Sequence, residues 1–316
     1  RRKDRPTRRG LRMRVAVTGS GGRLGRALVR ALEEAAFVGP LGPIAWRRPA
    51  FDLDAPETFA RLLDRDRPEV VVHAAAWTDV DACAREPELA MARNGTATGV
   101  LARAAAERGI DLVVVSTNEV FDGRRTDGHG YSATDAPAPI NPYGASKLGG
   151  ERLAQAAFDG ASVSLGIVRT AWLYGPPGND FPDKILSAAE RARATGEPLK
   201  LVADEAGSPT YTADVAEAIA ELIDADAIRG IHHVVNAGFA SRSTWAEEVL
   251  RQAGVSVPTQ SVPASTWRRD STPPLWAVLE PTPLPSGQPL RTWPRALADY
   301  VPTLLRQRAA AASTVR

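Results

Sequence analysis
Short apolar runs alternate along this chain with longer stretches in which apolar residues return every three or four positions, a rhythm that predicts strands and helices in turn. Residues 13–18 read as a strand, and Leu24, Ala27, Leu28 and Leu32 then mark one face of a helix. The pattern continues with a strand at 43–46, a helix over 56–65, an apolar strand at 70–76, a long helix over 86–108 and a strand at 112–115. A helix opening at Pro142 and a strand at 163–168 follow. Such β-α alternation argues an α/β fold with a doubly wound, Rossmann-type parallel sheet. Beyond residue 170 the order loosens into a loop over 172–182, helices near 183–195 and 212–224, and a strand near 231–235. From Pro258 to Pro294 proline is frequent, but Trp267, Trp276 and Trp293 are interspersed, which suits an irregular covering lobe better than a linker. The expected division is a dinucleotide-binding domain at 13–170, rejoined by 211–236, and a smaller substrate-binding lobe from 171–210 and 237–316.

The junctions of these elements carry the chemistry. Gly19, Gly22 and Gly25 stand where the first strand turns into the first helix, with Arg23 and Leu24 between them. A glycine turn there lets backbone N–H groups approach a pyrophosphate at a helix N-terminus. The second strand ends in Arg47 and Arg48, where an NAD-preferring site would place an acid; guanidiniums suit a 2′-phosphate, so NADPH is the expected cofactor and NADH the alternative. Ala74, Ala75 and Ala76 would let a flat cofactor lie close to the backbone, while His73 reads as a satisfied histidine beside the sheet. Ser116 and Thr117 close the fourth strand at the sheet edge where ligands bind in open α/β folds. Asn141 suits a helix N-cap and Pro142 the first helical position, which puts Tyr143 and Lys147 one turn apart on one face. A helix N-terminus and a neighbouring ammonium both favour a phenolate, so Tyr143 is expected at a lowered pKa as a general acid.

Composition narrows the classes. The chain has 316 residues, 44% hydrophobic and 24% charged, ordinary for a globular protein. Its single cysteine, Cys83, excludes an internal disulfide, no Cys/His cluster has zinc-ligand spacing and no metal site is expected, which fits a cytoplasmic setting. No apolar run reaches the ~20 residues of a membrane span. Residues 1–12 hold seven basic side chains against one acid, a net +6 within a total of +2, so the remainder carries −4. That basic stretch is expected as a disordered leader rather than a nucleic-acid site, because it has no aromatic interleaving and no motif.

With the glycine turn, Ser116-Thr117 and Tyr143-x-x-x-Lys147 in that order, the chain resembles the extended short-chain dehydrogenase/reductase family. Within it the similarity is to the nucleotide-diphospho-4-keto-6-deoxysugar reductases of the dTDP-4-dehydrorhamnose reductase type. It runs through residues 74–81, 86–90, 116–123, 169–175 and 207–211. The resemblance implies a nucleotide-diphosphate sugar substrate, with Tyr143 giving the proton, Lys147 holding the nicotinamide ribose and Thr117 bonding the substrate carbonyl. It also implies Asp52 and Leu53 at the adenine, Asn94 beside Lys147, and Trp77, Val80, Asn118, Glu119 and Trp172 around the sugar; a homodimer stays open. Two stretches depart. Asn118-Glu119 stand where the family usually has Asp-Tyr, and Thr272-Pro273-Pro274 lacks an arginine common there. The alternatives are a nucleotide-sugar 4,6-dehydratase or epimerase of the same class, and a catalytically idle NADP-binding regulatory subunit. Asn118 weighs against the dehydratase, since an amide has no proton to give a departing hydroxyl.

Overall fold
The computed structural model describes residues 12–314; apart from Arg12, the expected leader lies outside the described residues. Five strands, β1 (Val15–Thr18), β2 (Ile44–Trp46), β3 (Val70–His73), β4 (Asp111–Thr117) and β5 (Leu165–Thr170), join a sixth, Gly230–His233. All pair in parallel, and in space they run β2-β1-β3-β4-β5 and then Gly230–His233. The chain leaves β1 toward β2 and returns on the other side as β3. This reversal opens a crevice above the carboxyl ends of β1 and β3, where α/β sheets take their ligands.

The period-two pattern of the strands sorts the core onto two faces. Val15, Val17, Val70, Val72, Val113 and Val115 point one way, against α1 (Arg23–Glu34) and the helix Thr212–Asp224. Ala16, Val71, Leu112 and Val114 point the other way, against α2 (Phe59–Asp66) and the helices Ala97–Glu107 and Pro142–Phe158. Both faces of the sheet are therefore covered, which explains why its strands read as unbroken apolar runs. A further core gathers Tyr174, Ile185, Leu186, Trp245, Val249, Leu297, Tyr300 and Leu304. Here the helices Phe181–Thr195, Arg242–Gln252 and Trp293–Thr314 meet.

Several expected boundaries move. The third strand stops at His73, and the three alanines lie in the loop beyond it. A short helix, Val80–Arg85, follows, capped by the Asp79 carboxylate on Ala82 N at 2.9 Å. The long helix of 86–108 is a composite: an α-turn at Pro87–Ala90, a π-helical turn at Met91–Thr96, then α-helix to Glu107. The strand expected at 163–168 is displaced to Leu165–Thr170. Two further helices stand where the expected pattern has none, Arg242–Gln252 and Trp293–Thr314; the second carries Pro302 inside it.

Candidate active site
Gly19 shows how closely the turn after β1 is built. Its φ is +65°, and a Cβ there would lie 2.8 Å from the Cα and N of Ala75. Only a residue without a side chain lets the first loop press on the third. The N-cap of α1 is Gly22, and among the described residues no side chain bonds the first N–H groups of that helix. They are the donors an anion takes at a helix N-terminus, so the turn fits a pyrophosphate. Arg23 reaches a loop far along the chain, donating to the carbonyls of Gly175 at 3.2 Å and Gly178 at 2.8 Å.

Asn141 caps the helix Pro142–Phe158 by accepting from Gly144 N at 2.8 Å, with Pro142 in the first turn. Such a cap stabilises by ~1 kcal/mol and fixes where the helix begins, hence where Tyr143 and Lys147 project. Gly144 is required for a different reason: a Cβ on it would meet the Glu119 carbonyl oxygen. Beneath Lys147, on the same helix face, the buried Glu151 accepts from Arg169 at 3.0 and 2.7 Å and from the Ser116 hydroxyl. This pair ties the helix to the ends of β4 and β5. Asn94, on the π-helical turn, accepts from Trp77 N at 2.8 Å and donates to Trp77 O and Ser146 Oγ. His73 is buried between Thr18 and Thr98, with ring nitrogens at 2.8 and 3.1 Å from their hydroxyls, and burial lowers its pKa to about 3.

A cavity of about 960 Å³ lies above the switch point. Of the residues expected at the cofactor, Gly19, Gly22, Arg23, Leu24, Gly25, Arg47, Leu53 and Ala74 to Ala76 line it, as do Trp77, Val80, Asn118, Glu119 and Trp172, expected at the sugar. Thr117, Tyr143 and Lys147 line the same cavity. Two expected cofactor residues do not line it. Asn94 is buried behind the wall, where it staples the Trp77 loop to the tyrosine helix, and Asp52 turns aside to pair with Arg48 at 3.4 Å.

The electrostatics correct one expectation. Tyr143 is held above the ordinary tyrosine range, because burial and the Glu119 carboxylate outweigh the Thr117 hydroxyl beside it. Lys147, buried and only partly compensated by Glu151, is pushed down to about 8. The phenol therefore keeps its proton at neutral pH. Glu119 is raised by burial against the bond that Asn141 Nδ2 donates to its Oε2 at 2.7 Å.

Arg242, which carried no signal in the sequence, also lines the cavity. It is the first residue of its helix, and its guanidinium lies 3.6 Å from the ring centroid of Trp172. Its Nε donates to the buried Glu205 at 3.3 Å, and burial pulls its pKa to about 10. Arg93 is a second lining residue without a sequence signal, paired with Asp54 at 2.6 Å and set over the Trp77 ring.

An uncapped glycine turn at the switch point of a parallel sheet, with threonine, tyrosine and lysine lining the same crevice, defines an oxidoreductase of the extended short-chain dehydrogenase/reductase class. The comparisons narrow the class: the model of the RmlD substrate binding domain matches residues 13–306. The chain belongs to that family. It is 37% identical over 247 residues to a dTDP-4-dehydrorhamnose reductase of Burkholderia thailandensis, covering 75% of this chain and 78% of that one. Among solved structures, a dTDP-4-dehydrorhamnose reductase of Clostridium acetobutylicum superposes with a TM-score of 0.83 at 30% identity, covering 93% of this chain and all of that one. The Bacillus anthracis enzyme, solved in complex with NADP, gives 0.82 at 29% identity over 93% and 99% of the two chains.

Proposed function
We propose that this protein reduces the C4 keto group of a nucleotide-diphospho-4-keto-6-deoxysugar, with NADPH as the electron donor. The observation that carries the reading is one cavity lined both by the glycine turn and by Thr117, Tyr143 and Lys147, in a chain matched nearly end to end by dTDP-4-dehydrorhamnose reductases. When bound, the reduced nicotinamide supplies the hydride. Gly19 to Gly25 would hold its pyrophosphate, and Arg47 with Arg48 the 2′-phosphate. Tyr143 donates its proton to the oxygen of the ketone as charge develops there, and Thr117 orients that oxygen. Lys147 holds the nicotinamide ribose and, as a cation one helical turn away, favours the phenolate left behind.

Asn118 supports reduction over dehydration, since its amide donates to Ala277 O at 3.3 Å and has no proton to transfer. Retention of both Tyr143 and Lys147 on the cavity wall favours an enzyme over an idle regulatory subunit. The test is turnover: purified protein, NADPH and a dTDP-4-keto-6-deoxysugar, followed at the reduced-nicotinamide band. Oxidation of NADPH that depends on the ketosugar is expected. NADPH binding without oxidation by any 4-ketosugar would overturn the reading.

A further inference from the structure
Glu119 and Arg242 line the same cavity from elements far apart in the chain, one on the turn after β4 and the other at the start of the helix Arg242–Gln252. Each carries unused hydrogen-bonding capacity. Glu119 engages Asn141 through Oε2, and no bond is made by its Oε1 among the described residues. Arg242 engages Glu205 through Nε, and its two terminal nitrogens make no hydrogen bond among the described residues. The two charges perturb each other's titration, yet they form no ion pair. Two oppositely charged groups that line one cavity without pairing suit a group able both to donate and to accept. Each is also held in place, Arg242 by the Trp172 ring and Glu205, and Glu119 by Asn141, whose amide is further anchored on Thr272 O at 3.1 Å.

We propose that Glu119 and Arg242 together clamp one hydroxyl of the sugar, the one on the ring carbon next to the ketone. The hydroxyl gives its hydrogen to Glu119 Oε1 and accepts one from the Arg242 guanidinium. The position follows from the neighbours of Glu119: its backbone N donates to Thr117 Oγ1 at 3.2 Å and its carbonyl presses on Gly144, the residue after Tyr143, and under the proposed function Thr117 and Tyr143 meet the keto oxygen. The neighbouring ring substituent is then what Glu119 meets. On the other side of a 4-ketone in a 6-deoxysugar stands a carbon bearing a methyl group, which offers no hydrogen bond, so the clamp reads the C3 hydroxyl. This inference rests on the ketosugar reading and adds a specificity pair to it.

The experiment compares a dTDP-4-keto-6-deoxysugar with its 3-deoxy analogue, in turnover and in calorimetric binding to the NADP-loaded protein. Glu119→Ala and Arg242→Ala should each lower kcat/KM and affinity for the hydroxylated sugar by roughly 10- to 100-fold, the scale of a hydrogen bond to a charged group. The 3-deoxy analogue should be nearly indifferent to both changes. The double variant should lose less than the product of the single losses, because the two side chains share one hydroxyl. Glu119→Gln, which keeps an acceptor and the side-chain volume, should recover much of the discrimination and guards against a folding defect. Equal losses on both sugars, or independent losses in the double variant, would overturn the clamp. A wild type that binds the nucleotide sugars and discriminates the hydroxyl without oxidising NADPH would sink the reductase reading and leave the clamp standing.

Discussion
Lys147 offers a test in which stability and activity move in opposite directions. The side chain is 4% exposed, and burial drops its ammonium from the ordinary 10.5 to about 8. Below pH 8 the lysine is charged in both folded and unfolded chains, and the folded one bears the whole desolvation cost. Between pH 8 and 10.5 the folded lysine has lost its proton while the unfolded one keeps it, so unfolding takes up a proton and stability rises with pH. The gap corresponds to about 3 kcal/mol withheld from the fold at pH 7. Lys147→Met removes that charge at similar volume and leaves Glu151 with its partners Arg169 and Ser116. The variant should be the more stable protein at pH 7 by up to about 3 kcal/mol, and its advantage should shrink toward pH 10.5 while turnover is lost. Urea denaturation of both proteins from pH 7 to 10.5 reads the difference directly. Any gain from an apolar side chain is constant with pH, so only the slope is diagnostic; a difference that stays flat, or a wild type more stable at pH 7, would refute the reasoning.

Other expectations are briefer. Tyr143→Phe should bind NADPH normally and lose roughly 10²–10⁴-fold in kcat, as measured by steady-state turnover beside fluorescence titration of the cofactor; near-normal kcat would remove the tyrosine from its role. Replacing Arg47 and Arg48 together by alanine should weaken NADPH more than NADH, and an unchanged ratio of the two dissociation constants would exclude a 2′-phosphate contact. Gly144→Ala drives a methyl into the Glu119 carbonyl, a contact between two backbone-fixed atoms. It should cost about 1–3 kcal/mol in denaturant unfolding, and no loss would mean that the helix start shifts freely.

Much of this site was legible because its parts are local. Asn141, Pro142, Tyr143 and Lys147 lie within seven residues, and cap chemistry with helical spacing is enough to set two side chains on one face. The glycine turn is read the same way, from a strand on one side and an amphipathic helix on the other. The π-helical turn at Met91–Thr96 was not legible, because widening one turn leaves no mark on the apolar pattern. It carries Asn94 into the interior, so a residue expected at the cofactor instead holds the Trp77 loop.

What the sequence determined by itself is the parallel α/β sheet and the order of its chemistry along the chain, since strand period, helix period and caps act over a few residues. Only the tertiary structure decided the charge of the site. Tyr143 keeps its proton because burial and a carboxylate from the preceding loop overcome the local influences that favour phenolate. Arg242 belongs to the cavity because its helix, far along the chain, packs its first turn over Trp172. Desolvation and long-range charge depend on what the folded chain brings together, and no window of neighbouring residues contains that information.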